Sequence, residues 1–262
     1  MRPQQWVKNA FVFTGLVFGH AWNEPGMTLK VTAIAIAFCM MSSAIYTVND
    51  ILDRERDRKH PRKSKRPVAS GAVSVVAASR LGVILALSAL VIAGYSSTAA
   101  AGIILSYGLL NIAYSFHLKH VVILDVFCIA MGFMLRIMAG TVGVGIPPSQ
   151  WLLLCGLMVT LFLGFAKRRA EIIKLEQESR HHRRVLEAYQ PLVLDEIMGV
   201  CGALVIISYS LYTMSAETII MHETDQLIYT VPAVTYGLFR YLFLLHGENQ
   251  GDDPSRTLFR DK

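Results

Sequence analysis

The stretch VTAIAIAFCMMSSAIYTVNDILDRERDRKHPRKSKRPVASG, residues 31–71, changes character abruptly near its middle. Its first part is almost entirely apolar, whereas residues 46–71 carry four carboxylates and eight Lys or Arg side chains. A run of roughly 20 mostly apolar residues is long enough for a helix to cross a bilayer. The stretch therefore predicts a membrane helix that ends in a strongly charged segment.

The composition of the whole chain is that of a membrane protein. Its 262 residues are 53% hydrophobic and only 17% charged, whereas soluble domains have about 25% charged residues. Apolar runs predict about eight spans, at residues 9–23, 29–49, 73–95, 97–115, 121–142, 150–166, 192–214 and 228–246. We expect one all-α, polytopic membrane domain over residues 1–262, with loops at about 50–72 and 167–190.

Positive charge is concentrated in alternate loops of this map. Because cytoplasmic loops collect Lys and Arg, both termini and the charged segment after the second span are expected in the cytoplasm. The plasma membrane of a prokaryote is the expected location. Attraction to anionic lipid heads would explain the sign of these loops equally well, but it does not explain the spacing of the acids within residues 49–57.

The acids after the second span follow a helical spacing. If the helix continues, Asn49, Asp53 and Asp57 lie on one face at i, i+4 and i+8, with Asp50 beside them. Like charges four residues apart repel, so this arrangement favours a bound cation. Mg²⁺ is usually held by one or two carboxylates together with substrate phosphates. We predict a Mg²⁺ site formed by these acids, with Asn49 as a neutral ligand or hydrogen-bond donor.

The segment also contains signals for the end of the helix. His60 precedes Pro61, and the residue before a proline avoids the α region. We therefore expect the helix to stop there, and Pro67 and Gly71 to turn the chain back into the next span.

The pattern Asn49-Asp50-x-x-Asp53-x-x-x-Asp57, followed by Arg66-Pro67, resembles the first aspartate motif of the UbiA superfamily of intramembrane prenyltransferases. The resemblance implies an all-helical fold, usually of nine membrane helices around a chamber open to the bilayer, and use of Mg²⁺. The final residues resemble the lead-in to a ninth helix, so either that helix lies beyond residue 262 or this member of the superfamily lacks it.

The chain departs from the aromatic prenyltransferases of that superfamily after the sixth span. Those proteins carry a second acidic cluster there, whereas residues 164–174 read GFAKRRAEIIK, with Glu171 as the nearby acid. One acidic site and one basic cluster suit a diphosphate substrate together with a second anion that needs no metal, such as a lipid monophosphate.

Further stretches resemble the decaprenyl-phosphate phosphoribosyltransferase branch of the superfamily. They are RPQQWVKN (2–9), YSFHLK (114–119), LDVFCIAMGFMLRIMAG (124–140), AKRRAE (166–171) and YTVPAVTYGLFRYLFL (229–244). This resemblance implies transfer of 5-phosphoribose from phosphoribosyl pyrophosphate to a polyprenyl phosphate, with release of pyrophosphate. In that branch the product feeds arabinose donors for cell-wall polysaccharide.

A set of residues is predicted to bind substrate phosphates: Lys8, Asn9, Arg58, Lys59, Arg62, Lys65, Arg66, Lys119, Lys167, Arg168, Arg169 and Arg240. The alternative for Lys8 and Lys119 is interfacial snorkelling, and for residues 167–169 it is the ordinary positive charge of a cytoplasmic loop. A second set could contact substrate: Tyr114, Asp125, Arg136, Glu171 and His60. A structural ion pair is an equal alternative for Arg136, and an interface position is an alternative for Tyr114. His60 could simply end the helix, because an ionised lipid phosphate needs no general base.

Two other functions stay open at this point. A prenyltransferase that joins an isoprenoid diphosphate to an aromatic acceptor would need a second acidic cluster near residue 170. A transporter or lipid-binding protein would show no Mg²⁺-dependent turnover, and it leaves the acid spacing unexplained.

Overall fold

The computed structural model describes residues 3–61, 63–178 and 189–247, and this part of the chain is built of helices joined by turns. The all-α prediction is confirmed. The chain divides into two compact units. The first unit contains the residues up to 116 and residues 135–148, and the second contains residues 117–134 and those from 149 onward.

The first unit begins with 3₁₀ turns and continues into long helices. Its 3₁₀ segments are Pro3–Phe13, Ala21–Asn23 and Lys63–Lys65, and its helices are α1 (Thr14–Phe18), α2 (Met27–Leu52), α3 (Arg54–Arg58), α4 (Val75–Ser96) and α5 (Thr98–Phe116). Helix α6 (Leu124–Ala139) contributes residues to both units. The second unit adds 3₁₀ segments Leu118–His120 and Gln226–Thr230, with α7 (Gln150–Glu178), α8 (Pro191–Met214), α9 (Ala216–His222) and α10 (Val231–Gly247).

Six helical segments among the described residues are long and apolar enough to cross a membrane. They are Met27–Leu52, Val75–Ser96, Thr98–Phe116, Gln150–Ile173, Pro191–Met214 and Gln226–His246. The other two predicted spans are shorter than expected. Residues 9–23 form 3₁₀ turns around the five-residue α1. Helix α6 has 16 residues, because Ile123 has a positive φ of 69° and cannot join a right-handed helix.

The core of the first unit lies where α2 packs against α4 and α5. Ile34 and Phe38 of α2 and Ile104 of α5 are completely buried. Ala89 and Ala93 of α4 are completely buried as well. Small residues at these positions let helix backbones approach closely, which is how membrane helices gain packing energy.

The turn that follows α6 is fixed by close contacts within the first unit. A Cβ at Gly140 would lie 1.6 Å from the carbonyl oxygen of Val12, so only glycine fits there. The Ser97 hydroxyl donates to the Gly143 carbonyl at 2.5 Å, and the Lys30 ammonium donates to the Val144 carbonyl at 3.0 Å. These bonds satisfy backbone carbonyl groups of the turn.

The core of the second unit is formed mainly by α7 and α8. Phe162 of α7 and Leu194 and Met198 of α8 are fully buried, together with Val126 of α6. Gly164 of α7 faces Val126 so closely that a Cβ would lie 2.6 Å from the valine side chain. Close packing therefore sets the position of α7 beside the start of α6.

The segment at residues 167–190, expected between two membrane spans, begins as a continuation of helix α7. The helix runs without interruption to Glu178, so the basic cluster at residues 167–169 is part of it. The reason is local, because Ala, Lys, Arg, Glu and Leu are all strong helix formers and no Pro or Gly follows residue 164 before residue 191. Residues 179–188 of the expected loop lie outside the described residues.

The segment after α2 follows the expected course. Helix α3 ends at Arg58, close to the His60-Pro61 signal. Gly71 has a φ of 83°, which glycine adopts readily. Ser74 then caps α4, since its hydroxyl oxygen accepts the Ala77 amide hydrogen at 3.2 Å.

We predict that Gly140→Ala destabilises the protein because the new methyl group would overlap the Val12 backbone, which cannot move as a side chain can. Overpacking of this kind costs about 1–3 kcal/mol or more. Gly102→Ala is the matched control, since a Cβ on α5 at that position would meet nothing within 4 Å. Thermal unfolding in detergent should show a lower midpoint for Gly140→Ala alone. Equal midpoints would contradict the close approach at residue 140.

Candidate functional site

The acidic segment keeps its helical progression through the end of α2. The Asp53 amide donates to the Asn49 carbonyl at 2.9 Å, and the Asp57 amide donates to the Asp53 carbonyl at 2.8 Å. Asp53 itself has φ −89° and ψ 4°, which separates α2 from α3 without breaking this succession of bonds. The predicted spacing of the acids is therefore retained in three dimensions.

Asp50 and Asp57 point at the same cation, the guanidinium group of Arg66. One nitrogen, Nη1, lies 3.3 Å from Asp50 Oδ1 and 2.5 Å from Asp57 Oδ2. The Asp57 side chain is 2% exposed, that of Asp50 is 15% exposed and that of Arg66 is 25% exposed. Residues seven apart lie two turns along one helical face, which brings both carboxylates within reach of one charge.

The loop that carries Arg66 is attached to α3. The Arg58 Nε donates to the Ala69 carbonyl at 3.1 Å, and its Nη1 donates to Glu55 at 3.2 Å. Within the loop, the Ser70 amide donates to the Arg66 carbonyl at 2.8 Å. Arg58 therefore holds the loop that presents Arg66 to the acids.

The remaining predicted residues of this segment differ in exposure. Asn49 and Asp53 are half-buried, whereas Lys59, His60 and Lys65 are exposed. The His60 Nδ1 accepts the Lys63 amide hydrogen at 3.3 Å, a contact that stabilises the turn after α3. Arg62 lies outside the described residues. Among the described residues no three His, Cys, Asp or Glu side chains are grouped as a metal site.

Asn9 and Arg136 lie together inside the first unit. The Arg136 Nε donates to Asn9 Oδ1 at 2.8 Å, and its Nη2 donates to the Tyr107 hydroxyl at 2.7 Å. Its guanidinium carbon also lies 4.6 Å from the centre of the Tyr107 ring. Asn9 is 2% exposed and donates to Cys39 Sγ, whereas Lys8 is exposed. Asn9 and Arg136 thus connect the N-terminal segment to the helices around it.

Asp125 and Arg168 form a buried ion pair in the second unit. Arg168 Nε donates to Asp125 Oδ2 at 2.7 Å, and Nη1 donates to Glu171 Oε2 at 2.5 Å. The side chain of Asp125 is 0% exposed and that of Arg168 is 5% exposed. Buried charges require such partners, since the desolvation penalty is several kcal/mol per ion. The pair fixes α7 to the start of α6.

Tyr189 completes this cluster, and the sequence analysis missed it. Its hydroxyl donates to Asp125 Oδ1 at 2.6 Å and accepts the Ile123 amide hydrogen at 2.6 Å. Burial, reinforced by the hydrogen bond to Asp125, raises the pKa of Tyr189 well above its usual range, so the hydroxyl keeps its proton at neutral pH. Tyr189 thereby holds Ile123 at a positive φ that is unusual for a β-branched residue.

The other members of the basic cluster on α7 have different surroundings. Arg169 is 8% exposed and pairs with Asp195, which also lies 3.3 Å from the His246 ring nitrogen Nε2. Lys167 is exposed. The predicted cluster therefore consists of two buried arginines that pair with acids and one lysine open at the surface.

Three further predicted residues, one in the first unit and two in the second, show intermediate burial. Tyr114, Lys119 and Arg240 are all half-buried, and the Arg240 guanidinium lies 5.8 Å from the centre of the Phe243 ring. Asp195, the partner of Arg169, was not predicted as a site residue, although the sequence contains a signal for it. It is a charged residue within an apolar run, and such residues have a partner or a function by default.

Comparisons with known proteins agree with the fold. The UbiA prenyltransferase family model matches residues 9–261. A decaprenyl-phosphate phosphoribosyltransferase of Corynebacterium glutamicum is 39% identical over 234 residues, which cover 86% of this chain and 68% of the relative. A decaprenyl-phosphate phosphoribosyltransferase of Mycolicibacterium smegmatis is 30% identical over 272 residues, which cover 100% of this chain and 85% of the relative.

A solved structure has the same fold. It is a UbiA homolog from Archaeoglobus fulgidus bound to GPP and Mg²⁺, with a TM-score of 0.74 and 18% sequence identity. The match covers 98% of this chain and 91% of that chain. With its six apolar helices, the protein is an integral membrane protein. The chain belongs to the UbiA prenyltransferase family.

Proposed function

We propose that the protein is a phosphoribosyltransferase. It transfers the 5-phosphoribosyl group from phosphoribosyl pyrophosphate to the phosphate of a polyprenyl lipid and releases pyrophosphate. The observation that carries this proposal is the identity of 39% and 30% to two relatives named for that class of transfer. The basic segment at residues 167–169 agrees with it, because a prenyl diphosphate enzyme would carry acids there.

The acids after α2 suit a divalent cation. Asp50 and Asp57 already converge on one positive charge, that of Arg66, and carboxylate oxygens are the ligands that Mg²⁺ prefers. A UbiA homolog is bound to Mg²⁺ in its solved structure. We assign Asp50, Asp53 and Asp57 to the metal, with Asn49 as an additional neutral oxygen. The metal supplies positive charge against the pyrophosphate leaving group.

The reaction exchanges one oxygen for another at C1 of the ribose. The bond from C1 to the pyrophosphate oxygen breaks, pyrophosphate departs with the electron pair, and an oxygen of the lipid phosphate bonds to C1. A lipid phosphate is ionised at neutral pH, so no side chain needs to remove a proton. This agrees with the position of His60, which is exposed and contacts the turn after α3.

Cations in each unit are assigned to substrate phosphates. In the first unit we assign Lys59 and Lys65, which flank the acids and are open to solvent. Arg58 instead positions the loop, since it bonds the Ala69 carbonyl. We place this segment at the cytoplasmic surface because its positive charge follows the distribution found in cytoplasmic loops.

In the second unit we assign phosphate contact to the exposed Lys167 and to the half-buried Lys119. Arg168 and Arg169 are assigned a positioning role in place of the phosphate contact expected from sequence. Their guanidinium groups pair with Asp125 and Asp195 and are almost shielded from solvent. An arginine used in this way fixes α7 and leaves Lys167 as the exposed charge at this point of the helix.

We predict that detergent-purified protein moves label from radiolabelled phosphoribosyl pyrophosphate into the organic phase when a polyprenyl phosphate and Mg²⁺ are present. Asp53→Asn should lower the rate at least roughly a hundredfold, because it removes a metal-binding charge with little change of volume. Glu55→Gln is the matched control on α3, since its side chain is 75% exposed. If label moves from a prenyl diphosphate to an aromatic acceptor instead, the prenyltransferase alternative is correct.

We predict that substitutions of two neighbouring residues of α7 change different properties of the protein, the KM in one case and the unfolding temperature in the other. Lys167→Gln should raise the KM for the lipid phosphate about tenfold through loss of one charged contact, with an unchanged unfolding temperature. Arg168→Gln should lower the unfolding temperature, because an unpaired buried Asp125 costs about 3–5 kcal/mol. Steady-state kinetics and thermal unfolding together check this. A stable Arg168→Gln protein with a raised KM would contradict the assignment.

A further inference from the structure

We propose that Arg66 is an internal counter-ion that competes with the metal for Asp50 and Asp57. This inference rests on the proposed function and deepens it. Without a donor substrate, the guanidinium occupies the position between the two carboxylates. When metal and donor diphosphate enter together, the carboxylates exchange the guanidinium for the metal, and Arg66 turns to the diphosphate.

The contacts already present define the competing state. A single nitrogen of Arg66 is within hydrogen-bond distance of one oxygen on each acid. Asp57 is 2% exposed, so its carboxylate needs a neutralising cation nearby far more than the carboxylate of a surface acid does. The guanidinium of Arg66 therefore already occupies the position that would suit a metal shared by these two acids.

The loop allows the side chain to move without the backbone. Arg58 holds the Ala69 carbonyl, and the Ser70 amide bonds the Arg66 carbonyl, so the loop stays attached to α3. The Arg66 side chain is 25% exposed and has several rotatable bonds. Its planar group with five N–H donors matches carboxylate and phosphate equally well. The same residue can thus serve both partners in turn.

Charge balance makes the exchange depend on the donor. Mg²⁺ placed at Asp50 and Asp57 would lie beside the guanidinium of Arg66, so two positive charges would be held close together. Such an excess of like charge at short range is unfavourable, whereas a diphosphate supplies the missing negative charge. Metal and donor should therefore bind with positive coupling, and each should raise the affinity of the other by the same factor.

The test measures binding of Mn²⁺ alone, by electron paramagnetic resonance, to protein in detergent without donor or lipid. Arg66→Gln should bind Mn²⁺ roughly tenfold more tightly than the unsubstituted protein, because a cation within about 4–6 Å strongly opposes a second one. Arg56→Gln is the matched control, since it removes the same charge from an exposed position on α3. It should leave the affinity within about twofold, because exposed charges are screened.

A second variant guards against a misfolded Arg66→Gln protein. Arg66→Lys keeps the charge but loses the planar fork, so its Mn²⁺ affinity should lie between those of the other two proteins. Mn²⁺ should also raise the unfolding temperature of Arg66→Gln more than that of the unsubstituted protein. Equal or weaker Mn²⁺ binding by both variants would overturn the proposal, as would equal tightening in Arg56→Gln or no saturable binding in any protein. Since no substrate is present, failure of the transfer assay leaves this result intact.

Discussion

A carboxylate that is removed from water inside a membrane protein is costly unless a cation neutralises it. This constraint applies to Asp57 in the first unit and to Asp125 in the second, which are 2% and 0% exposed. Each has an arginine partner, Arg66 and Arg168 respectively. The pairs fix the segments that carry them, namely the loop after α3 and the start of α6.

The arginines and the lysines of the candidate site differ in their chemistry as well as in their burial. Arginine presents a planar fork that can satisfy two acids, and it is weakly hydrated, so it suits buried positions. Arg168 and Arg66 each bridge two carboxylates. Lysine is a compact and strongly hydrated charge, and Lys65 and Lys167 are exposed. In the proposed function, arginines that pair with acids thus order the site, and exposed lysines contact phosphates.

Local patterns in the sequence were sufficient for much of the fold. The apolar runs at 29–49, 73–95 and 192–214 match α2, α4 and α8, because membrane helices are defined by length and composition. The acid spacing after α2 predicted one face with Asn49, Asp53 and Asp57 and with Asp50 beside it, and the backbone hydrogen bonds keep this spacing. The late start of the 16-residue α6 was not predicted, since the positive φ at Ile123 is stabilised by a hydrogen bond to the distant Tyr189.

Contacts between distant residues also explain what was missed in the candidate site. Arg168 looked like a phosphate ligand in sequence, and its buried partner lies 43 positions away. Tyr189 lies 64 positions from Asp125, in a polar segment whose pattern gives no sign of that contact. Arg66 was predicted to bind phosphate, and nothing local in the sequence reveals that it also bridges two acids. The spacing of residues in the sequence predicts which side chains share a helix face. Which cation neutralises a carboxylate depends on the tertiary structure.

The central claim is that the acids after α2 define one cation position, and a structure with Mn²⁺ and phosphoribosyl pyrophosphate bound tests it most directly. Anomalous scattering at the manganese edge locates the metal independently of its surroundings. We predict a manganese peak in contact with carboxylate oxygens of Asp50 and Asp57, with the Arg66 guanidinium displaced from both acids. A peak elsewhere, with Arg66 still bridging the two carboxylates, would contradict the claim.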